Sequence, residues 1–171
     1  KEPGRSKGPS DLTTAPMGWS PPERYEIWQG KAIIYIQERV EDEPGRWFAV
    51  HAGPGEKWLV PPGWAHATIS ADPSQPLTFA AWCDREYGFE YDAVREYKGL
   101  AWYPLLQDNN IIWQQNPRYQ SGRLHAIGPR QYHEFGLRDD PLYLQFETDP
   151  ARFQFISKPG SVAEKWQRFE P

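Results

Sequence analysis

"GEKWLVPPGWAHATIS", residues 55–70, sets a short apolar run, a proline pair, a glycine and a histidine in close succession. Glycine and proline turn a chain and end regular structure. The stretch therefore reads as strand, corner, strand: KWLV, then Pro61-Pro62-Gly63, then HATIS with His66 at its start. Whether His66 holds a metal is the question the stretch raises.

Working outward, the pattern of short strands and turns continues. "ERYEIWQGKAIIYIQERV" has no sustained helical period, and Gly30 divides it into strands 23–29 and 31–39, a hairpin. "EDEPGR" (41–46) is a turn, "WFAVHAG" a strand, Pro54-Gly55 a turn, "ADPSQP" a turn and "LTFAAWC" a strand. Residues 1–10 read as a surface arm, and "DLTT" (11–14) as a further short strand. A short helix is predicted around 90–97, and "AWYPLL" and "NNIIWQQNPRY" read as edge or lid segments. After Tyr119 the pattern changes. "LYLQFETDPARFQFI" reads as a second hairpin about Thr-Asp-Pro, and "SVAEKWQRFEP" as one or two amphipathic helical turns that lay Trp166 and Phe169 on the barrel.

The composition agrees with a β protein. Eighteen prolines, fourteen glycines and nine tryptophans among 171 residues favour many brief strands over long helices. That length suits one domain with an appendage. A net charge of −4 supplies no broad basic face, so nucleic acid is not an expected partner. The sequence contains no apolar run long enough to span a bilayer and no apolar signal-peptide core, and a single cysteine, Cys83, fits a reducing compartment. The expectation is a cytoplasmic protein without membrane contact.

Gly55-x5-Pro61-x-Gly63-x2-His66 resembles the second motif of the cupins, with Ser70 where asparagine is usual, and Glu23-x6-Gly30 resembles the end of their first. "PERYEIWQG", "VPPGWAHAT", "EYGFEYDAV" and "NPRY" follow in the order found in the cupin-type phosphoglucose isomerases, and "DLTTAPMG" resembles the strand leading into their metal motif. The resemblance implies an all-β cupin barrel, two antiparallel sheets in a jelly roll. Residues 1–119 would form the barrel with its arm and 120–171 a C-terminal extension. It further implies aldose-ketose isomerisation of a sugar phosphate, a homodimer, and a divalent metal (Fe, Mn or Zn). Carried over by position, Glu23 and His66 become catalytic residues and metal ligands pointing into the barrel, Tyr25 a substrate contact and Tyr91 a residue at the pocket mouth.

The chain departs from that pattern. The His-x-His of the first motif falls on Met17 and Trp19, or on Thr14 and Pro16 with the longer spacing. Either the pair has been lost, or a segment carrying it is missing near residues 16–22. Phe89 replaces a further histidine, and the phosphate-holding Thr-x-Gly-His segment is absent. Two ligands fall short of the three or four donors a first-row metal generally takes, which leaves His51, His125 and His133 as the remaining imidazoles to locate. Two other functions stay open: a metal-free cupin that binds a small molecule among its tryptophans, and a metal-independent isomerase or cyclase of specialised metabolism with Glu23 and His66 as an acid/base pair. Trp28, Trp58, Trp64 and Trp82 read as core or rim aromatics, Cys83 as a buried apolar residue, and Arg118 as a surface or structural cation rather than a phosphate contact.

Overall fold

A computed structural model describes residues 4–6 and 20–171. The expected strand at 11–14 and the alternative ligand positions at 14–19 lie outside the described residues. Eleven strands are formed there: β1 (Gly4–Ser6), β2 (Glu23–Gln29), β3 (Ala32–Gln37), β4 (Trp47–Ala52), β5 (Lys57–Val60), β6 (Ala65–Ser70), β7 (Thr78–Trp82), β8 (Phe89–Glu90), β9 (Trp102–Gln107), β10 (Asn110–Gln115) and β11 (His125–Ile127). A six-stranded sheet runs β11-β4-β3-β6-β1-β8, a three-stranded sheet β5-β2-β7, and β9 and β10 pair alone. All pairs are antiparallel except β11 with β4. The fold is all-β and cupin-like, with its strands in separate sheets rather than one continuous ladder.

Local chemistry explains the main boundaries. Gly30 turns β2 into β3 with φ of 78°, and a Cβ there would lie 2.6 Å from the Pro76 carbonyl oxygen, so both conformation and space call for glycine. Gly63, at φ 80°, makes the corner before β6, and its N–H donates to the buried Ser20 hydroxyl.

Two cores follow from strand alternation. Ile34 and Ile36 of β3 face inward with Tyr25, Ile27, Trp58 and Val60. Tyr35, between them, faces the other way and joins Ala65, Val94, Leu100 and Tyr119 in a second cluster. The helix predicted near 90–97 is α1 (Asp92–Glu96), and its Val94 packs in this second cluster.

The predicted hairpin over 142–156 is corrected by the structure. The segment forms α2 (Leu142–Thr148), a 3-10 turn (Pro150–Phe153) and α3 (Gln154–Ser157). Its apolar alternation is also compatible with an i, i+3, i+4 stripe, and tertiary partners select the helix. The Glu26 carboxylate accepts the Leu142 N–H at 2.9 Å, satisfying a donor in the first turn of α2 with a negative charge. Buried Gln145, one turn on, donates to the Arg138 and Asp140 carbonyls and accepts the Arg138 N–H. Phe146 and Phe153 then close on Trp82, at ring separations of 4.8 and 5.5 Å. The last helix, α4 (Ala163–Gln167), buries Trp166 against Phe135 at 4.3 Å, while Phe169 meets Trp64 at 6.4 Å. Trp166 and Phe169 thus pack as their spacing predicts.

Candidate functional site

β2 and β6 bring the site together. Alternation turns Glu23, Tyr25 and Ile27 of β2 to the interior, and His66 enters from β6, where its neighbours Ala65 and Ala67 belong to the opposite core. Glu23, Tyr25 and His66 are 3%, 2% and 7% exposed. The Tyr25 hydroxyl donates to Glu23 Oε2 at 2.8 Å and lies 3.1 Å from His66 Nε2. Nε2 is also 3.4 Å from Glu23 Oε1, and Nδ1 lies 3.4 Å from the Trp64 carbonyl oxygen. Since the tyrosine proton is directed at the carboxylate, its oxygen is left to accept from Nε2. Each ring nitrogen therefore faces an oxygen that can accept a hydrogen bond.

Burial pushes the Tyr25 phenol well above its ordinary range, and the adjacent Glu23 carboxylate raises it further. Tyr25 thus stays protonated and bridges carboxylate to imidazole. Its ring packs on Phe79 at 5.7 Å and edge-on to His66 at 5.9 Å. A Tyr25→Phe variant retains this packing and deletes the bridge. It is expected to cost about 1–3 kcal/mol, read as a lower urea midpoint with an unchanged m-value.

The other candidates lie elsewhere. Tyr91 is not brought to this group: it precedes α1 and lines a separate cavity of about 440 Å³ with Tyr35, Val94 and Trp102, on the second core's side. His51, His125 and His133 are exposed. His125 is on β11, its ring 5.8 Å from Phe48, and His133 is in a 3-10 turn of the tail. Among the described residues no group of three or more His, Cys, Asp and Glu side chains could hold a metal ion. Glu23 and His66 are donors of a suitable kind, yet two are fewer than a first-row ion takes from protein, so the chain's described residues do not fit a complete centre. Trp58 and Trp64 are core aromatics as expected, Trp82 is half-buried and Trp28 is 60% exposed. Cys83 is half-buried rather than buried.

"NPRY" has a structural role. Asn116 is buried, donates to the Tyr97 and Leu100 carbonyls and accepts the Arg118 N–H, while the Arg118 side chain is exposed. Sequence reasoning missed Arg24, which is 2% exposed on the opposite face of β2 from Glu23 and Tyr25. The signal was there in part, because alternation between two interior residues assigns Arg24 to the other face.

Cupin-like sheets thus hold a carboxylate, a phenol and an imidazole within hydrogen-bond distance in their interior. The sequence pattern of the family described as Glucose-6-phosphate isomerase (GPI) matches residues 14–121, and the chain belongs to this family. It is similar to the Glucose-6-phosphate isomerase of Thermococcus kodakarensis, 29% identical over 102 residues that cover 58% of this chain and 51% of that protein. The Glucose-6-phosphate isomerase of Pyrococcus abyssi is 27% identical over 99 residues, covering 58% and 49%. The chain spans about half the length of these curated relatives. Among its described residues no helix is long and apolar enough to cross a membrane.

Proposed function

We propose that the chain catalyses aldose-ketose isomerisation of a sugar phosphate or a similar small polar molecule, with Glu23 as base and His66 as acid. The observation that carries this reading is the Tyr25 hydroxyl, 2.8 Å from Glu23 and 3.1 Å from His66. Membership of the isomerase family supports the reaction class.

In this scheme the Glu23 carboxylate takes the proton from the carbon beside the carbonyl. The C–H electron pair becomes the carbon-carbon double bond of the enediol, and the carbonyl oxygen receives a proton from His66. Glu23 returns its proton to the neighbouring carbon as the second hydroxyl oxygen gives one back to His66, so charge and protons balance over the cycle. Tyr25 holds the two groups in register and supplies no net proton. Because none of the three is more than 7% exposed, substrate entry requires local opening. The acid/base route uses side chains of this chain alone, whereas an iron, manganese or zinc route would need further ligands.

The test is incubation with fructose 6-phosphate in D2O, with chelator and separately with added Fe, Mn or Zn, followed by NMR. Deuterium entering the sugar in the presence of chelator is the expected result. Exchange that requires added metal would replace the acid/base route by a metal-dependent one. No exchange under any condition would overturn the isomerase reading in favour of a binding cupin.

A further inference from the structure

We propose that Arg24 anchors a second site, on the outer face of β2, that binds a phosphate group. Strand alternation sends Arg24 and Glu26 away from Glu23 and Tyr25, so this site lies across the sheet from the Glu23–His66 pair. The covering layer comes from the tail, with Tyr132 over Arg24 and Leu142 on Glu26.

Arg24 is 2% exposed, and its Nε and Nη1 are buried without a hydrogen-bond partner. Burial lowers its pKa to about 10, against the favourable influence of Tyr132 and Glu26, so it remains a cation at neutral pH. Glu26, two residues along and a favourable influence on the cation, has one carboxylate oxygen engaged by the Leu142 N–H, and no ion pair to Arg24 forms among the described residues. An unpaired charge in such a place is costly unless something compensates it.

Arg24 also lines a cavity of about 320 Å³ whose other charged residues are Lys57, Arg130, Arg138, Glu56 and Asp139. The cations exceed the carboxylates. The Glu56 carboxylate accepts the Gly53 N–H, and Arg130 is paired with Glu134. Lys57 Nζ donates to the backbone carbonyls of Gly55 and Asp139 and forms no ion pair among the described residues. The guanidinium groups of Arg24 and Arg130 both lie over the Tyr132 ring, at 5.1 and 4.3 Å from its centre, which holds both cations in place. A fixed guanidinium with unused donors, flanked by an ammonium and a rim arginine, is the arrangement that takes a phosphate oxyanion.

Isothermal titration with inorganic phosphate, at ionic strength held constant with chloride, tests this. Wild type and Glu23→Gln are expected to bind alike. Arg24→Met should weaken binding at least tenfold. The double variant Lys57→Gln/Arg138→Gln, changed only at more accessible positions, should weaken it severalfold. Undetectable phosphate binding, full affinity in Arg24→Met, or loss of binding in Glu23→Gln would overturn the site. If Arg24→Met does not fold, the double variant decides, and unchanged affinity there would overturn it. Repeating the titration with phenyl phosphate separates the two sources of the group: tighter binding than inorganic phosphate identifies a phosphomonoester as the ligand, and equal or weaker binding identifies free phosphate.

Discussion

Glu23→Gln is expected to slow deuterium exchange into the sugar by about 10²–10⁴-fold, the usual contribution of a positioned base. Glutamine has the same shape and still accepts the Tyr25 hydroxyl, so the lost function is proton abstraction. His66→Ala should lower exchange comparably and carry a larger structural cost. It leaves Glu23 and Tyr25 without the buried imidazole 3.4 and 3.1 Å away, and losing a buried polar partner of this kind costs about 1–3 kcal/mol. For a domain of this size that is a fall in Tm of roughly 5 °C. The two readouts separate the roles. A variant that loses stability but exchanges deuterium at the wild-type rate would make the pair structural, and the base would have to be sought elsewhere.

A chain ending at Gln120 is expected to lose the cooperative fold altogether. The family match ends at residue 121, so truncation near that point is the natural way to isolate the matched part. Yet the removed tail supplies nine buried side chains of the larger core cluster: Tyr132, Phe135, Leu137, Leu142, Phe153, Phe155, Ile156, Trp166 and Phe169. Full burial of each contributes about 1.5–3 kcal/mol, which in sum exceeds the net stability of about 5–15 kcal/mol typical of a domain. The entropy of ordering the tail offsets part of this, but its loss also uncovers Trp58, Leu59, Trp64 and Trp82 and frees the β4 edge that β11 covers. The truncated chain should bind the dye ANS, lack near-UV circular dichroism and melt without a sharp transition. A cooperative transition with a native near-UV spectrum would show that the strands are self-sufficient.

Much of the fold was legible because its signals are local. Strands 23–29 and 57–60 fall where alternating apolar residues and bounding turn residues put them, and the glycines at 30 and 63 stand where the backbone has positive φ. Glu23 and His66 were legible as candidates through motif spacing, since that spacing is itself set by strand period and corner geometry. Less visible was the bond network that joins them. Tyr25 reads from sequence as a cavity-lining aromatic, and only the approach of β6 to β2 across the interior makes it the bridge between carboxylate and imidazole.

The β architecture, the corner before His66 and the inward direction of Glu23 and His66 can be read from the chain alone, because period-two alternation and turn chemistry act over a few residues. That residues 142–148 are helical, that Tyr91 lines a separate cavity, that His51, His125 and His133 stay outside, and that Arg24 is buried were settled only by tertiary contacts. Those outcomes depend on partners far away along the chain, such as the Glu26 carboxylate that caps α2 from 116 residues away. An apolar run compatible with both periods takes the one its distant neighbours can satisfy, and an arginine becomes a buried charge only when a tail folds over it.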